Sequence, residues 1–316
     1  MTNRYQRERV KQSIPKHLRY TLKHFNQQFP DDSACLEWLK EQRFPGGIGL
    51  CEKCGVDRKH HRVTGRPAWA CDYCGSMVSP MAGTIFEKTT TPLSLWFYAM
   101  YLMSATRCGI SAKQIQRETG VTYKTAWRMF KQIRTLMSED ISLEGEAVEC
   151  DETYVGGKEK NKHMSKRRGA SVGGRSTEVK TAVFGLAERG GRVVARVTPD
   201  VQSKTLLPII AERVLPESTV YTDEYPIYEG IHKMGMGYEH RRVNHAAKVY
   251  VMGDAHTNSI EGFWSLLKRG IGGVYHQVSA KYLQSYCDEY GYRYNRRFDE
   301  KPMFTSLLDE VVTRAN

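Results

Sequence analysis

The chain has 316 residues, of which 40% are hydrophobic, and it carries a formal net charge of +12. This length and apolar content exclude a disordered chain and allow two or three domains with a sizeable core. The positive charge favours a polyanionic partner, with nucleic acid first and an acidic membrane surface second. A globular protein that is merely basic would show the same balance, so charge alone does not identify the partner.

The N-terminal segment and the cysteines predict a cytoplasmic protein. The first twenty residues are basic and no apolar segment follows them, so we expect no signal peptide. The longest apolar run, Leu93 to Met103, is too short to span a bilayer and predicts a buried helix. Four of the eight cysteines form two close pairs and four are isolated, which is not the pattern of a secreted disulfide framework.

Residues 1–45 are predicted to form a basic arm followed by a short helix. The helix is expected from about Ala34 to Gln42, because a glycine-containing stretch, 45-PGG-47, follows it. Asp32 or Ser33 is the predicted cap at its start, since short oxygen-bearing side chains satisfy the first backbone N–H groups.

Two CxxC pairs predict a zinc ribbon over residues 46–90. They are 51-CEKCG-55 and 71-CDYCG-75, and sixteen residues, Gly55 to Ala70, separate the two cysteine pairs. Four thiolates at this spacing favour one tetrahedral Zn²⁺ over four independent surface thiols. Because cysteines of the protein would fill all four coordination positions of the ion, the zinc site is predicted to be structural and not catalytic. The predicted ligands are Cys51, Cys54, Cys71 and Cys74. His60 and His61 are expected to be loop or DNA-facing residues and not ligands.

Residues 91–140 are predicted to be helical and to bind DNA. A helix is expected from Pro92 to about Thr106, and the segment 110–137 then has the apolar spacing of two helices separated by a turn at Gly120. This is typical of a helix-turn-helix, although a plain helical hairpin has the same pattern. The side chains predicted to face the DNA groove are Tyr123, Lys124 and Arg128.

From about residue 145 the pattern changes to alternating strands and helices. Strands are expected at 147–155, 180–188, 192–199, 218–223 and near 238–244, with helices at 203–215 and near 226–235. Three antiparallel strands followed by strand–helix alternation predict a ribonuclease H-like domain with a mixed five-stranded sheet over residues 145–300. Residues 301–316 are expected to be a C-terminal helix or tail.

A basic, glycine-rich loop interrupts this domain at 156–176. Seven Lys or Arg residues oppose a single Glu there, so the segment cannot form a core. We expect Lys166, Arg167 and Arg168 to contact DNA phosphates. A solvated insertion without a function is the alternative.

Two aspartates are the first candidates for catalysis. Asp151 lies in the middle of the first strand, where alternation places it with Glu149 and Thr153 on one face and Glu152 on the other. Asp223 ends the fourth strand, at the edge where ligand sites of open α/β sheets gather. An Asp that only caps the next helix would look the same. Clustered carboxylates are what two Mg²⁺ ions need for phosphoryl transfer on DNA.

The stretch 256-HTNSIEGFWSLLKRG-270 predicts a loop and an amphipathic helix. At 100° per residue, Asn258, Glu261 and Lys268 share one face. Asn258 also suits a helix cap, since it directly precedes the apolar run. His256 is a predicted contact to DNA or water. The side chains expected to anchor the helix to the sheet are Phe263, Leu266 and Leu267.

In these motifs the chain resembles bacterial insertion-sequence transposases of the DDE class, in the group with a zinc ribbon and an H-x-N-x-x-E…K signature. The motifs are the two CxxC pairs, 83-GTIF-86, 94-SLWFYA-99, 150-CDETYVGG-157, 222-TDEY-225, 256-HTNSIEGFWSLLKRG-270, 275-YHQVS-279 and 290-YGYRYNRR-297.

The resemblance implies DNA cleavage at terminal inverted repeats and joining to target DNA, with two Mg²⁺ or Mn²⁺ ions and one structural Zn²⁺. It further implies a homo-oligomer on double-stranded DNA, in the cytoplasm at the nucleoid of a bacterium or archaeon. A DNA-binding regulator derived from a transposase and a ribonuclease H-like nuclease or junction resolvase are the alternatives.

The resemblance leaves the third metal ligand open, because some relatives carry Asn in place of the third acid. Here 34 residues separate Asp223 from Asn258, and 37 separate it from Glu261. We predict Glu261 as the ligand together with Asp151 and Asp223, because a carboxylate attracts Mg²⁺ more strongly than a neutral amide does. In this group Lys268, two turns after Glu261, is expected to hold the phosphate.

Overall fold

The structure is a computed structural model that describes residues 19–106, 108–156, 180–243 and 257–315. The described chain forms two compact units. The first runs to Leu136 and takes in the residues from Phe298 onward, and the second is Met137–Arg297. In these ranges, no helix combines the length and the apolar character that crossing a membrane requires.

The secondary structure of the described residues includes nine α-helices and nine strands. The helices are α1 (Leu22–Gln28), α2 (Asp32–Arg43), α3 (Leu93–Ala105), α4 (Ala112–Thr119), α5 (Tyr123–Thr135), α6 (Ser203–Arg213), α7 (Asn258–Gly270), α8 (Leu283–Asn295) and α9 (Met303–Thr313). The strands are β1 (Ile48–Cys51), β2 (Val56–Arg62), β3 (Trp69–Cys71), β4 (Met77–Val78), β5 (Ala147–Val155), β6 (Thr181–Glu188), β7 (Val193–Thr198), β8 (Thr219–Thr222) and β9 (Glu239–Arg242).

The N-terminal end of α2 differs from the sequence prediction. The helix begins two residues earlier than expected, and the Asp31 carboxylate, not Asp32 or Ser33, caps it by accepting from the Ala34 N–H at 2.9 Å. Asp32 instead accepts from the backbone N–H of Ser94 at 2.8 Å, at the start of α3. The adjacent aspartates therefore cap two different helices, a division that only the fold reveals.

The predicted helix-turn-helix is confirmed as a local structure in α4 and α5. Gly120 ends α4 in the left-handed conformation, with φ of 71°, and Thr122 caps α5 by accepting from the Thr125 N–H. A side chain is rarely tolerated at positive φ, which explains the glycine. The two helices pack through buried apolar residues that include Ile115 and Phe130.

The predicted zinc ribbon forms a four-stranded antiparallel sheet in the order β1-β2-β3-β4. Gly55 and Gly75 each follow a CxxC turn with φ of 70°, as such tight turns require. The two histidines lie on strand β2 and not in the predicted loop. His60 is buried, and its register partner on β3 is Cys71.

The second unit contains the mixed five-stranded sheet that the sequence predicts. Its order is β7-β6-β5-β8-β9, with β7, β6 and β5 antiparallel and β5, β8 and β9 parallel. This is the ribonuclease H-like arrangement. The helix expected near 226–235 is a 3₁₀-helix, Pro226–Lys233.

Each face of this sheet has its own core. On one face Val148 and Cys150 pack with residues of α6 and with Tyr228 of the 3₁₀-helix. On the other face the apolar side chains of β6 and β7 pack against α7 and α8, including Phe263. The predicted alternation along β5 therefore directs the even-numbered side chains to the first core and leaves the odd-numbered ones facing α7.

Candidate active site

The strand register places the two predicted aspartates side by side. β5 and β8 are parallel neighbours with Glu149 opposite Tyr221. Asp151 lies two residues beyond Glu149, and Asp223 lies two residues beyond Tyr221, just after β8; the charge of Asp223 acts on Asp151. Because the two strands run in the same direction, both carboxylates lie toward the carboxyl edge of the sheet.

The electrostatics of Asp151 are those of a crowded acid cluster. The pKa of Asp151 is raised to about 7, mainly by burial and then by the neighbouring charges of Glu152 and Asp223, while a hydrogen bond from Trp264 opposes the shift. Burial and adjacent like charges both disfavour the ionised form. A cation would relieve this repulsion, so the cluster has the character of a cation site.

Glu152 is an acid of this cluster that the sequence prediction did not assign to the site. It projects to the face opposite Asp151, where the Tyr228 hydroxyl donates to its carboxylate at 2.7 Å. Burial, together with the charge of Asp223, raises the pKa of Glu152. Its position next to Asp151 in the sequence could have identified Glu152 as a site residue. Strand alternation, however, places the side chains of Asp151 and Glu152 on opposite faces of the sheet, so Glu152 was not assigned.

Two β5 side chains that face α7 hold this helix. The Trp264 indole Nε1 donates to Asp151 Oδ2 at 2.9 Å. Glu149, which is fully buried, accepts from the backbone N–H groups of Ser259 at 2.7 Å and Ile260 at 3.1 Å. The sequence prediction included neither contact, because both depend on the position of the helix over the sheet.

The cap predicted at Asn258, at the start of α7, is wrong. Thr257 occupies the cap position without a side-chain capping bond, and Asn258 is already the first helical residue. The carboxylate of Glu149 satisfies the N–H groups that such a cap would serve. An anion at a helix N-terminus is also favoured by the helix dipole.

The residues predicted on one face of α7 share an exposed surface: Asn258, Glu261 and Lys268 are all exposed. Glu261 accepts a hydrogen bond from the Thr257 hydroxyl at 3.2 Å. One of the predicted anchors is wrong, because Leu266 is 36% exposed. The buried side chain that holds α7 to the sheet in its place is Trp264.

Asp151, Asp223 and Glu261 do not form a group with converging ligand atoms. Among the described residues, the cysteine quartet is the set of potential ligands whose atoms all lie within 4.8 Å of one another. The adjacent pair Asp151 and Asp223 nevertheless fits Mg²⁺, which commonly takes one or two carboxylates and completes its shell with waters and phosphate oxygens.

The four predicted zinc ligands converge. The Sγ atoms of Cys51 and Cys74 lie 3.4 Å apart and those of Cys54 and Cys71 lie 4.0 Å apart. Tetrahedral Zn²⁺ with ordinary Zn–S bonds requires sulfur–sulfur separations of about 3.8 Å. The geometry of the ribbon thus fits the ion that the spacing predicts.

The residues predicted to contact DNA are described only in part. Tyr123, Lys124 and Arg128 are exposed on α5, and the Lys113 ammonium lies 4.5 Å from the centre of the Tyr123 ring. Residues 166–168 and 256, which supply the remaining predicted contacts, lie outside the described ranges.

Comparison with known proteins decides the family. Residues 142–295 match the family of ISXO2-like transposase domains, and residues 30–77 match the transposase zinc-ribbon domain. The chain is also 33% identical over 274 residues to an uncharacterized protein in transposable element ISH50 of Halobacterium salinarum, covering 82% of this chain and 90% of that protein. The chain belongs to the ISXO2-like transposases. It is thus a DNA transposase of an insertion sequence.

Further similarities to this transposase are shorter or weaker. An uncharacterized transposase-like protein of Haemophilus influenzae is 34% identical over 121 residues, 38% of this chain and 94% of that protein. The crystal structure of a pre-cleavage Mos1 transpososome is 11% identical to this chain, with a TM-score of 0.28. The match covers 70% of this chain and 79% of that chain. A similarity this low adds nothing to the fold assignment.

Proposed function

We propose that the transposase cleaves DNA at the terminal inverted repeats of its insertion sequence and joins the 3′ ends to target DNA. The adjacent pair Asp151 and Asp223 at the carboxyl edge of the ribonuclease H-like sheet carries this proposal. Neighbouring, half-buried carboxylates are suited to divalent ions that polarise a phosphate and activate a water or a 3′ hydroxyl.

The chain's own contribution is to bind and orient. Asp151 and Asp223 would hold Mg²⁺ or Mn²⁺, and Glu261 on α7 would complete the ligand set. The exposed ammonium of Lys268, on the same face of α7, would bind a phosphate of the DNA. Asn258 is the competing candidate for the third ligand, since it lies on that face as well.

The remaining parts of the proposal concern assembly and DNA binding. We infer one structural Zn²⁺ in the cysteine quartet and a division of the chain into ribbon, helix-turn-helix and catalytic regions as the sequence predicts. Tyr123, Lys124 and Arg128 would contact the element ends. Two ends must be brought together for joining, so a homo-oligomer on DNA, acting at the nucleoid in the cytoplasm, is expected.

The test uses a labelled duplex that carries the DNA flanking the gene, with the zinc-loaded protein and Mg²⁺ or Mn²⁺. We expect nicked ends and joined strand-transfer products from the natural protein and from Glu146→Gln, a control at an exposed acid near β5. Asp151→Asn and Asp223→Asn should lower the rate at least about 10³-fold, as loss of a catalytic metal ligand would. Nicking without joining would indicate a nuclease, and binding without nicking a regulator.

The third ligand is tested by two matched variants. Glu261→Gln should abolish cleavage in Mg²⁺, because it removes the charge of the carboxylate and changes its size little. Asn258→Ala should reduce cleavage far less. If only the Asn258 change abolishes cleavage, the assignment of Glu261 is wrong.

A further inference from the structure

The indole of Trp264 makes a contact with Asp151 that the chemistry of the acids does not require. Trp264 is only 4% exposed, yet its one polar atom is directed at Oδ2 of Asp151, 2.9 Å away. A buried indole N–H needs a partner, and a backbone carbonyl would serve as well. Here the partner is the carboxylate assigned to the cation.

The strand next to Asp151 is adapted to this contact. Gly185 of β6 is the register partner of Asp151. A Cβ at Gly185 would lie 2.4 Å from Cζ2 of Trp264, 2.6 Å from its Cη2 and 2.7 Å from Cδ1 of Ile260. These distances are shorter than carbon atoms tolerate, so the ring occupies the space that any other residue at 185 would fill. The glycine therefore lets the indole approach Asp151.

Trp264 also links the first acid to the helix of the third. It lies three residues after Glu261, one turn along α7. The position of α7 along β5 is therefore set at the same atom, Asp151 Oδ2, that belongs to the acid pair. A shift of the helix would move Glu261 and release Asp151 together.

We propose that Trp264 is a positioning residue for the acid pair: its indole N–H fixes the Asp151 carboxylate and the distance of α7 from it, and Gly185 provides the space. This inference rests on the proposed function. Groups that hold metal ligands in place are usually worth about 10–100-fold in metal affinity or activity.

The first test measures Mn²⁺ binding to zinc-loaded, DNA-free protein, from the electron paramagnetic resonance signal of unbound Mn²⁺. Trp264→Phe keeps an aromatic ring and loses the donor, so we expect the affinity to fall about tenfold. Phe263→Leu is the matched control, because it perturbs the neighbouring buried ring without touching a donor. It should keep the affinity of the natural protein, and Asp151→Asn sets the signal of a protein without the site.

The second test is a double-mutant cycle with Gly185→Ala. In the natural background the new methyl group must displace the indole, so Mn²⁺ affinity should fall as it does in Trp264→Phe. In the Trp264→Phe background the smaller ring lacks the two clashing ring atoms, and only the flexible end of Ile260 has to move, so the same change should cost little more. Strong non-additivity of this kind indicates that the two positions act through one contact.

Each outcome decides the inference. If Trp264→Phe binds Mn²⁺ as tightly as the natural protein, or if Phe263→Leu loses affinity equally at a matched unfolding temperature, Trp264 is not a positioning residue. Failure of the proposed function is a different result, because the natural protein would then bind Mn²⁺ no better than Asp151→Asn.

Discussion

At the scale of single residues, Asp151 combines a catalytic assignment with a cost to the fold. Its pKa is raised to about 7 in the folded protein, mainly by burial, whereas an unfolded chain has an ordinary Asp near 3.9. Between these values the folded state binds the proton more tightly than the unfolded state. The contribution to stability is therefore present at low pH and is lost as pH rises through about 7.

Asp151→Asn should therefore stabilise the protein at pH values at which Asp151 is ionised in the folded state. Without added Mg²⁺ or Mn²⁺, we expect an unfolding temperature at least about 2 °C above that of the natural protein at pH 8. The gain should shrink at pH 5, because the folded carboxyl is protonated there. Differential scanning calorimetry at both pH values measures this. A variant that is less stable at pH 8, or equally shifted at both, contradicts the raised pKa.

The sequence predicts the positions of the acids better than their contacts. Period-2 alternation was enough to place Asp151 and Glu149 on one face of β5, and the α7 hydrogen bonds agree with it. The roles of Glu149 and Trp264 could not be predicted, because they follow from the distance between a helix and a strand that lie about 110 residues apart in the chain. That distance depends on the missing side chain at Gly185.

At the scale of elements, α7 is attached to β5 through a buried charge. Glu149 accepts from Ser259 and Ile260 and is paired with Arg189, whose Nε lies 3.0 Å away. The guanidinium of Arg189 in turn stacks 3.6 Å from the centre of the Tyr221 ring. Buried charges persist only when they are paired and hydrogen-bonded, so these groups act together.

Removing the Glu149 carboxylate should loosen α7. Glu149→Ala leaves two helix N–H groups and the Arg189 charge without this partner, and breaking such buried sets costs about 3–5 kcal/mol. Glu149→Gln keeps an acceptor and should lose less. Urea denaturation measures the difference, with the exposed neighbour changed in Glu146→Ala as control. Equal losses in the Ala variants of 149 and 146 would show that Glu149 has no special role.

The short strands of the zinc ribbon predict that it depends on a bound ion more than on its core. Its strands are two to seven residues long and bury few apolar side chains, among them Trp69. We expect Cys54→Ser to lose the zinc and to raise amide hydrogen exchange throughout β1–β4, while β5–β7 keep their protection. Cys108→Ser, at an exposed cysteine, should keep one zinc per chain. Unchanged exchange in a zinc-free ribbon would argue against a structural ion.

At the scale of the whole molecule, the charge of +12 is consistent with a DNA-acting protein, and α5 offers exposed cations for it. Changing Lys124 and Arg128 together to Ala should weaken binding to any duplex. It should lower the slope of log affinity against log salt by about 0.9 per lost phosphate contact. The control is Lys301→Ala, because the Lys301 ammonium is already paired with Asp309. An unchanged slope in the α5 variant would place the DNA elsewhere.

The order of strands and the family were accessible from the sequence, since hydrophobic periodicity and the spacing of motifs are local properties. The mixed five-stranded sheet agrees with that prediction. Side-chain direction at element ends was less accessible, as the exchanged caps at Asp31 and Asp32 show. Helix caps depend on which backbone groups the fold brings near, and not on residue type alone.

The central claim is that Asp223, beside Asp151, holds the ion that acts on DNA, and a thiol substitution tests it most directly. Asp223→Cys replaces a hard oxygen ligand with a soft sulfur, so cleavage of the flanking-DNA duplex should be lost in Mg²⁺ and partly restored in Mn²⁺, which accepts sulfur more readily. Asp223→Ala should be inactive with both ions. Cleavage by Asp223→Cys in Mg²⁺ at the rate of the natural protein would contradict the claim.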